Sequence, residues 1–75
     1  MEIEYTEYAE NTLLDRKISK ELIEKSLKEP DEIIEGKNKR KIAQKIINNK
    51  LLRVIFEIKG KAYIIITAYY SDPKR

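Results

Sequence analysis

Seventy-five residues make one domain, 1–75, with a small core, because a chain of this size buries only about 60% of the surface it exposes when unfolded. It has no Cys and no His, which excludes disulfides, thiol chemistry, His-based acid–base work and the usual zinc ligands. The formal charge of +3 hides a division: residues 1–35 carry five basic and eleven acidic side chains, and residues 36–75 carry eleven basic and two acidic. Such asymmetry calls for an anionic partner for the second half or for neutralisation between the halves.

Ile, Lys and Glu supply 35 of the 75 residues, a mixture typical of proteins from thermophiles and also of AT-rich genomes. The opening MEIEYTEY is acidic and has no apolar core, so no signal peptide is expected. No apolar run approaches the roughly 20 residues that span a bilayer, so no membrane contact is expected either. With no Cys, the setting expected is reducing and cytoplasmic.

Glu2–Tyr5 reads either as a short leading strand or as the lead-in to a helix. From Tyr5, the positions Tyr5, Tyr8, Ala9, Thr12 and Leu13 follow the i, i+3, i+4, i+7, i+8 spacing of an amphipathic helix ending near Arg16 and Lys17. Ser19 is suited to cap a second helix, with Ile18 and Ile23 placed for a hydrophobic staple. Leu22, Ile23, Ser26 and Leu27 form its buried stripe, and Pro30 stops it. The period then shortens. Asp31–Glu35 reads as a short strand, Gly36–Lys39 as a polar turn and Arg40–Ile47 as an alternating strand. Asn48-Asn49 suits a type I′ turn, because Asn tolerates positive φ. Leu51–Ile58 is the clearest strand, with Leu52, Val54 and Phe56 on one face; Ile42 and Ile46 of the preceding strand are expected to join them in the core. After Lys59-Gly60, Ala62–Tyr70 alternates as a last strand, with Tyr63, Ile65, Thr67 and Tyr69 sharing a face. Ser71–Arg75, with Pro73, is expected to be a loose tail. The expected fold is α+β: an N-terminal αα-hairpin packed on one face of an antiparallel four-stranded meander, in the order α-α-β-β-β-β.

No phosphate-binding glycine motif is present, and the carboxylates show no convergent metal-ligand spacing, so neither cofactor nor metal is expected. What remains is cationic and aromatic. Between Gly36 and Glu57 seven basic side chains appear with no acid among them. Lys39, Arg40 and Lys41 with Tyr63 form a candidate nucleic-acid surface, because Lys and Arg neutralise phosphates and Tyr stacks on unpaired bases. Solvated turns and rings that cover core edges would explain the same residues without a ligand. Arg53 stands out, since a charge in mid-strand between Leu52 and Val54 lies on an open face or is paired.

The run TEYAENTLLDRKISKELIEKSLKEPDEIIEG, followed by LLRVIFE and IITAYY, resembles a family of small prokaryotic domains with a helical H-A-x-x-R-x-x-x-R-G-I-S motif, a P-D strand, an L-R-V-V strand and a V-V-T-x-Y strand. Ala9, Arg16, Ile18, Ser19, Pro30, Asp31, Arg53, Val54, Thr67 and Tyr69 fit that pattern. The motif's His falls at Tyr8, its first Arg at Thr12 and its Gly at Lys17. The pattern looks related to the RelE/ParE/BrnT-like toxin superfamily. That resemblance implies a RelE-like domain, the toxin component of a toxin–antitoxin pair, which cleaves or binds RNA, acts at the ribosome and pairs with a small acidic antitoxin-like protein. For a metal-independent ribonuclease, Arg53 and Lys45 would hold the scissile phosphate, Arg16 would add charge, and Tyr69 would orient or protonate. The alternative is a non-catalytic interaction module that takes an acidic protein or a nucleic acid on a basic sheet face. A homodimer through edge strands or the helical face is a further expectation.

Overall fold

The computed structural model describes residues 1–72. The elements run β1 (Glu2–Tyr5), α1 (Glu7–Arg16), α2 (Lys20–Lys28), β2 (Glu32–Glu35), β3 (Lys41–Ile47), β4 (Lys50–Lys59) and β5 (Ala62–Ser71). Of the expected loose tail, Ser71 belongs to β5, and residues 73–75 lie outside the described residues.

Both helices start where their caps dictate. Thr6 Oγ1 accepts from the Ala9 amide at 3.0 Å, and Ser19 Oγ accepts from the Leu22 amide at 3.1 Å. Helix α1 closes on Lys17, which adopts the left-handed conformation at φ 58° while its N–H bonds back to the Leu13 and Leu14 carbonyls. A non-glycine residue there carries strain.

The sheet order is β1-β5-β4-β3-β2. Neighbours pair antiparallel except β1 and β5, which run parallel from Glu2 against Ala62 to Tyr5 against Ile65. This corrects the four-stranded antiparallel meander: the sheet has five strands and is mixed. Four residues of EIEY carry too little periodicity to define a strand alone. Their partner lies about sixty positions downstream, so the pairing exists only in the folded chain. Thr6 secures the junction, donating from both its amide and its hydroxyl to the Ile65 carbonyl at 3.2 and 3.3 Å. The Asn48-Asn49 turn has both φ values positive, 51° and 69°, as a two-residue type I′ hairpin requires.

Both helices pack on the same face of the sheet. The core is Ala9, Leu13, Ile18, Ile23 and Leu27 from the helical layer against Ala43, Leu52, Val54, Phe56, Ile65 and Ala68 from the strands. The small side chains Ala9, Ser26, Ala43 and Ala68 are fully buried where the two layers meet, which lets them approach closely. The register puts Ala43 beside Val54, and Lys45 beside Leu52, on this covered face. Ile42 and Ile46 therefore point away from the core that they were expected to join, and Ile46 is half exposed. In β5 the register slips at Ile55/Phe56, so that Ile66 is an extra residue. That bulge puts Tyr63 and Ile65 on the covered face but Thr67 and Tyr69 on the other.

The edges β1 and β2 are four residues long and carry two glutamates each, which blunts edge-to-edge pairing. Among the described residues no helix is long and apolar enough to cross a membrane.

Replacing Lys17 by Gly should relieve a strain of roughly 1–2 kcal/mol against a chain-entropy cost of roughly 0.5–1 kcal/mol. The expected outcome is a melting temperature a few degrees higher, with no gain for Lys17→Ala, which keeps the Cβ; a lower value for Lys17→Gly would show that Lys17 is held by something other than its cap role.

Candidate functional site: the uncovered sheet face

Among the described residues, no layer covers the face opposite the helices. Strand register gives it Glu32 and Ile34 from β2, Ile42, Gln44 and Ile46 from β3, Leu51, Arg53, Ile55 and Glu57 from β4, and Ile64, Thr67 and Tyr69 from β5. Arg53 stands at its middle, flanked in register by Gln44 on one side and Tyr69 on the other. Its guanidinium lies 5.6 Å from the centroid of the Tyr69 ring. Such a contact contributes about 0.5–1 kcal/mol at a partly exposed site and satisfies no N–H. Arg53 Nε is shielded from solvent and has no hydrogen-bond partner among the described residues, and the same is true of Thr67 Oγ1 on the same face. A groove of about 470 Å³ opens beside Arg53, walled by Asp31, Glu32, Ile34, Ile46, Leu51 and Ser71.

The candidate residues separate. Arg53 and Tyr69 come together. Lys45 lies on the covered face, where Lys45 Nζ donates to the Glu29 carbonyl at the end of α2, 2.8 Å away. Arg16 sits at the end of α1 and donates from Nη1 to the Ala68 carbonyl at 2.7 Å, binding helix to sheet. The four catalytic candidates therefore form no single centre. Tyr63 packs on the core with its ring 5.5 Å from that of Phe56. Arg40 is paired with Glu57 at 3.1 Å and Lys41 with Glu35 at 2.6 Å. Lys39, in the β2–β3 turn at φ 67°, makes no ion pair among the described residues. The expected basic sheet face is thus an apolar face with one central cation, because strand parity directs Lys41 and Lys45 to the helix side.

Asp31 has a structural role. Asp31 donates its amide to the Gln44 carbonyl and accepts from the Ile46 amide through Oδ2, both at 2.8 Å. It thereby anchors the chain after Pro30 to β3. Tyr8 and Thr12 lie on α1, the first exposed and the second buried, away from Arg53. Tyr5 is also on the covered side. Burial, with Glu24 and Glu10 nearby, raises its pKa, and its hydroxyl has no partner. Among the described residues no three carboxylates gather as a metal site.

A family model described as "Domain of unknown function (DUF4258)" matches residues 5–70, and the chain belongs to that family. Neither the curated proteins nor the solved structures hold a significant match to it.

Two outcomes follow from this geometry. Arg53→Leu removes a buried unpaired N–H, so it should leave the urea midpoint unchanged or raise it; a loss of more than about 1 kcal/mol would mean that Arg53 supports the fold. Tyr5→Phe likewise deletes an unpartnered hydroxyl and should be neutral or slightly stabilising at pH 7. Because the folded pKa of Tyr5 lies above its ordinary value of 10.0, the folded chain holds the proton longer, and stability from Tyr5 is lost as pH rises through 10. Urea titrations at pH 9 and 11 should therefore show Tyr5→Phe gaining on the parent chain at the higher pH; a constant difference would remove the linkage.

Proposed function

We propose that the chain, as a member of this family, is a cytoplasmic protein-binding module whose uncovered sheet face seats a small acidic partner, the antitoxin-like protein implied by the resemblance to RelE/ParE/BrnT-like toxins. The observation that carries this reading is Arg53, a guanidinium fixed mid-strand in an apolar surface with Nε out of water and unpaired. An unsatisfied buried donor costs about 1–3 kcal/mol. A carboxylate of the partner would satisfy it, and the apolar side chains around it would be buried with it. A central charged or aromatic anchor ringed by apolar contacts is the usual form of a binding hot spot. The basic half of the chain steers an acidic partner to the domain.

The cleavage reading draws less support. Arg53, Lys45, Tyr69 and Arg16 would have to converge on one phosphate, yet Lys45 and Arg16 are engaged by main-chain carbonyls on the covered side. A nucleic acid on this face would meet, among the described residues, one unpaired cation, Arg53, whereas phosphate binding draws its strength from several. In a two-fold dimer through the face, Arg53 near the axis would oppose its own copy, so a different partner is favoured over a second copy.

The test is a titration of the labelled chain with the acidic protein encoded beside its gene, followed by NMR. Shift changes should centre on Ile42, Gln44, Ile46, Arg53 and Tyr69, and Ile46→Glu or Arg53→Leu should weaken binding at least tenfold. Shifts on α1 and α2 instead, self-association in sedimentation at the same concentrations, or a neighbouring gene product that does not bind would each sink the proposal.

A further inference from the structure

The lysines of the two turns at one end of the sheet form a second surface, separate from the Arg53 face. The β2–β3 turn is Gly36-Lys37-Asn38-Lys39-Arg40, and Gly60-Lys61 joins β4 to β5 after Lys59. Register places both turns at the same end. Lys41 pairs with Phe56, so β4 runs on past β3 toward Lys59 alongside the first turn. The Arg40–Glu57 ion pair at 3.1 Å ties that turn to β4 two residues before Lys59. Strands are spaced about 4.8 Å apart, so the two hairpin tips lie roughly 10 Å from each other.

Four ammonium groups therefore share this end: Lys37, Lys39, Lys59 and Lys61, all exposed. None makes an ion pair among the described residues. The turns contain no carboxylate. The acids nearest along the chain, Glu35 and Glu57, are taken by Lys41 and Arg40, and Glu2, which pairs in register with Ala62, forms no ion pair among the described residues. The first turn is held rigidly for a loop: Asn38 and Lys39 are both left-handed, at φ 57° and 67°, Arg40 N–H bonds to the Lys37 carbonyl, and Gly36 N–H bonds to the Arg40 carbonyl. Glycine would adopt the Lys39 conformation without strain, so a lysine there is not explained by the turn.

The chemistry of these groups narrows the ligand. Lysine is a point charge without the planar fork that selects single carboxylates. The turns hold no apolar or aromatic side chain to insert into a bilayer or to form the dry centre of a protein interface, where Lys is depleted. A cluster of mobile, unpaired ammonium groups matches a repeating polyanion, which it binds by releasing condensed counterions. We propose that this end of the sheet binds the phosphodiester backbone of a nucleic acid, without sequence preference, through Lys37, Lys39, Lys59 and Lys61. The site is independent of the Arg53 face, and either can fail alone.

The experiment is fluorescence anisotropy with a labelled 20-nucleotide single-stranded RNA from 20 to 200 mM salt, on the parent chain and two double variants. Four contacts predict a slope of log K against log salt near −3, since each single-strand contact contributes about −0.7. Lys37→Gln with Lys39→Gln should reduce that slope by about 1.4. Lys25→Gln with Lys28→Gln, the same charge change on exposed residues of α2, should leave it unchanged. Thermal melts of both variants should overlay the parent, since all four positions are exposed. Equal losses from the two variants would reduce the effect to net charge. Absence of binding at 20 mM salt, or tighter association with phosphatidylserine vesicles than with RNA, would overturn the proposal.

Discussion

Two short helices cover one face of a five-stranded sheet, and the parallel pairing of β1 with β5 decides which face that is. It brings the first strand beside the last, so that the chain leaves β1 directly into α1 and lays both helices across β3, β4 and β5. Thr6 joins the three elements at one point, capping α1 while bonding the Ile65 carbonyl. The hydrophobic effect then operates on one side only. Phe56, Leu52, Val54, Ile65 and Ile23 lose nearly all their exposure there, each contributing about 1.5–3 kcal/mol of apolar transfer. On the other side Ile42, Ile46, Leu51 and Ile55 are shielded only by one another. A small chain under pressure to bury surface keeps a second apolar face open, and that unspent burial is what a partner would take up.

The cations follow the same partition. Those directed to the helix side serve the fold: Arg16 and Lys45 satisfy main-chain carbonyls, and the Lys41–Glu35 pair links β3 to β2. Lys45 lays its alkyl stem over the covered face and places its charge at the end of α2, where the helix dipole favours a cation. Two kinds of cation are left for partners. Arg53 is desolvated and directional, held by its strand and by Tyr69. The turn lysines are solvated and non-directional. Their physics differ accordingly: a buried donor selects one matched acceptor, whereas a free cluster responds to charge density and to salt.

The candidate site was legible in part. A charge between Leu52 and Val54 in an alternating strand lies on an open face or is paired, and that argument, with the family pattern, points to Arg53; Tyr69 follows from its place on the last strand and the same pattern. Lys45 was misjudged because β3 is apolar on both faces. Ile42 and Ile46 look more like core than Lys41, Ala43 and Lys45 do, but α2 packs closely enough that the covered face takes alanine and lysine stems. Tyr63 was grouped with Tyr69 by strict alternation, and three consecutive isoleucines conceal the bulge that reverses the phase between them. Lys37, Lys39 and Lys59 are legible as turn residues, but that they share one end of the sheet with Lys61 depends on how far β4 extends past β3.

What the amino-acid order determined by itself was local. Ser19 caps a helix, Pro30 ends one, Asn48-Asn49 turns a hairpin, and alternating residues define β3, β4 and β5, because each of these rests on dihedral preferences or hydrogen bonds within a few residues. The fifth strand, the parallel pair, the phase of β3 and the bulge at Ile66 were decided only by the tertiary structure. Each depends on a partner tens of residues away or on the volume left beneath a helix, and period-two hydropathy cannot tell which of two apolar faces will be covered.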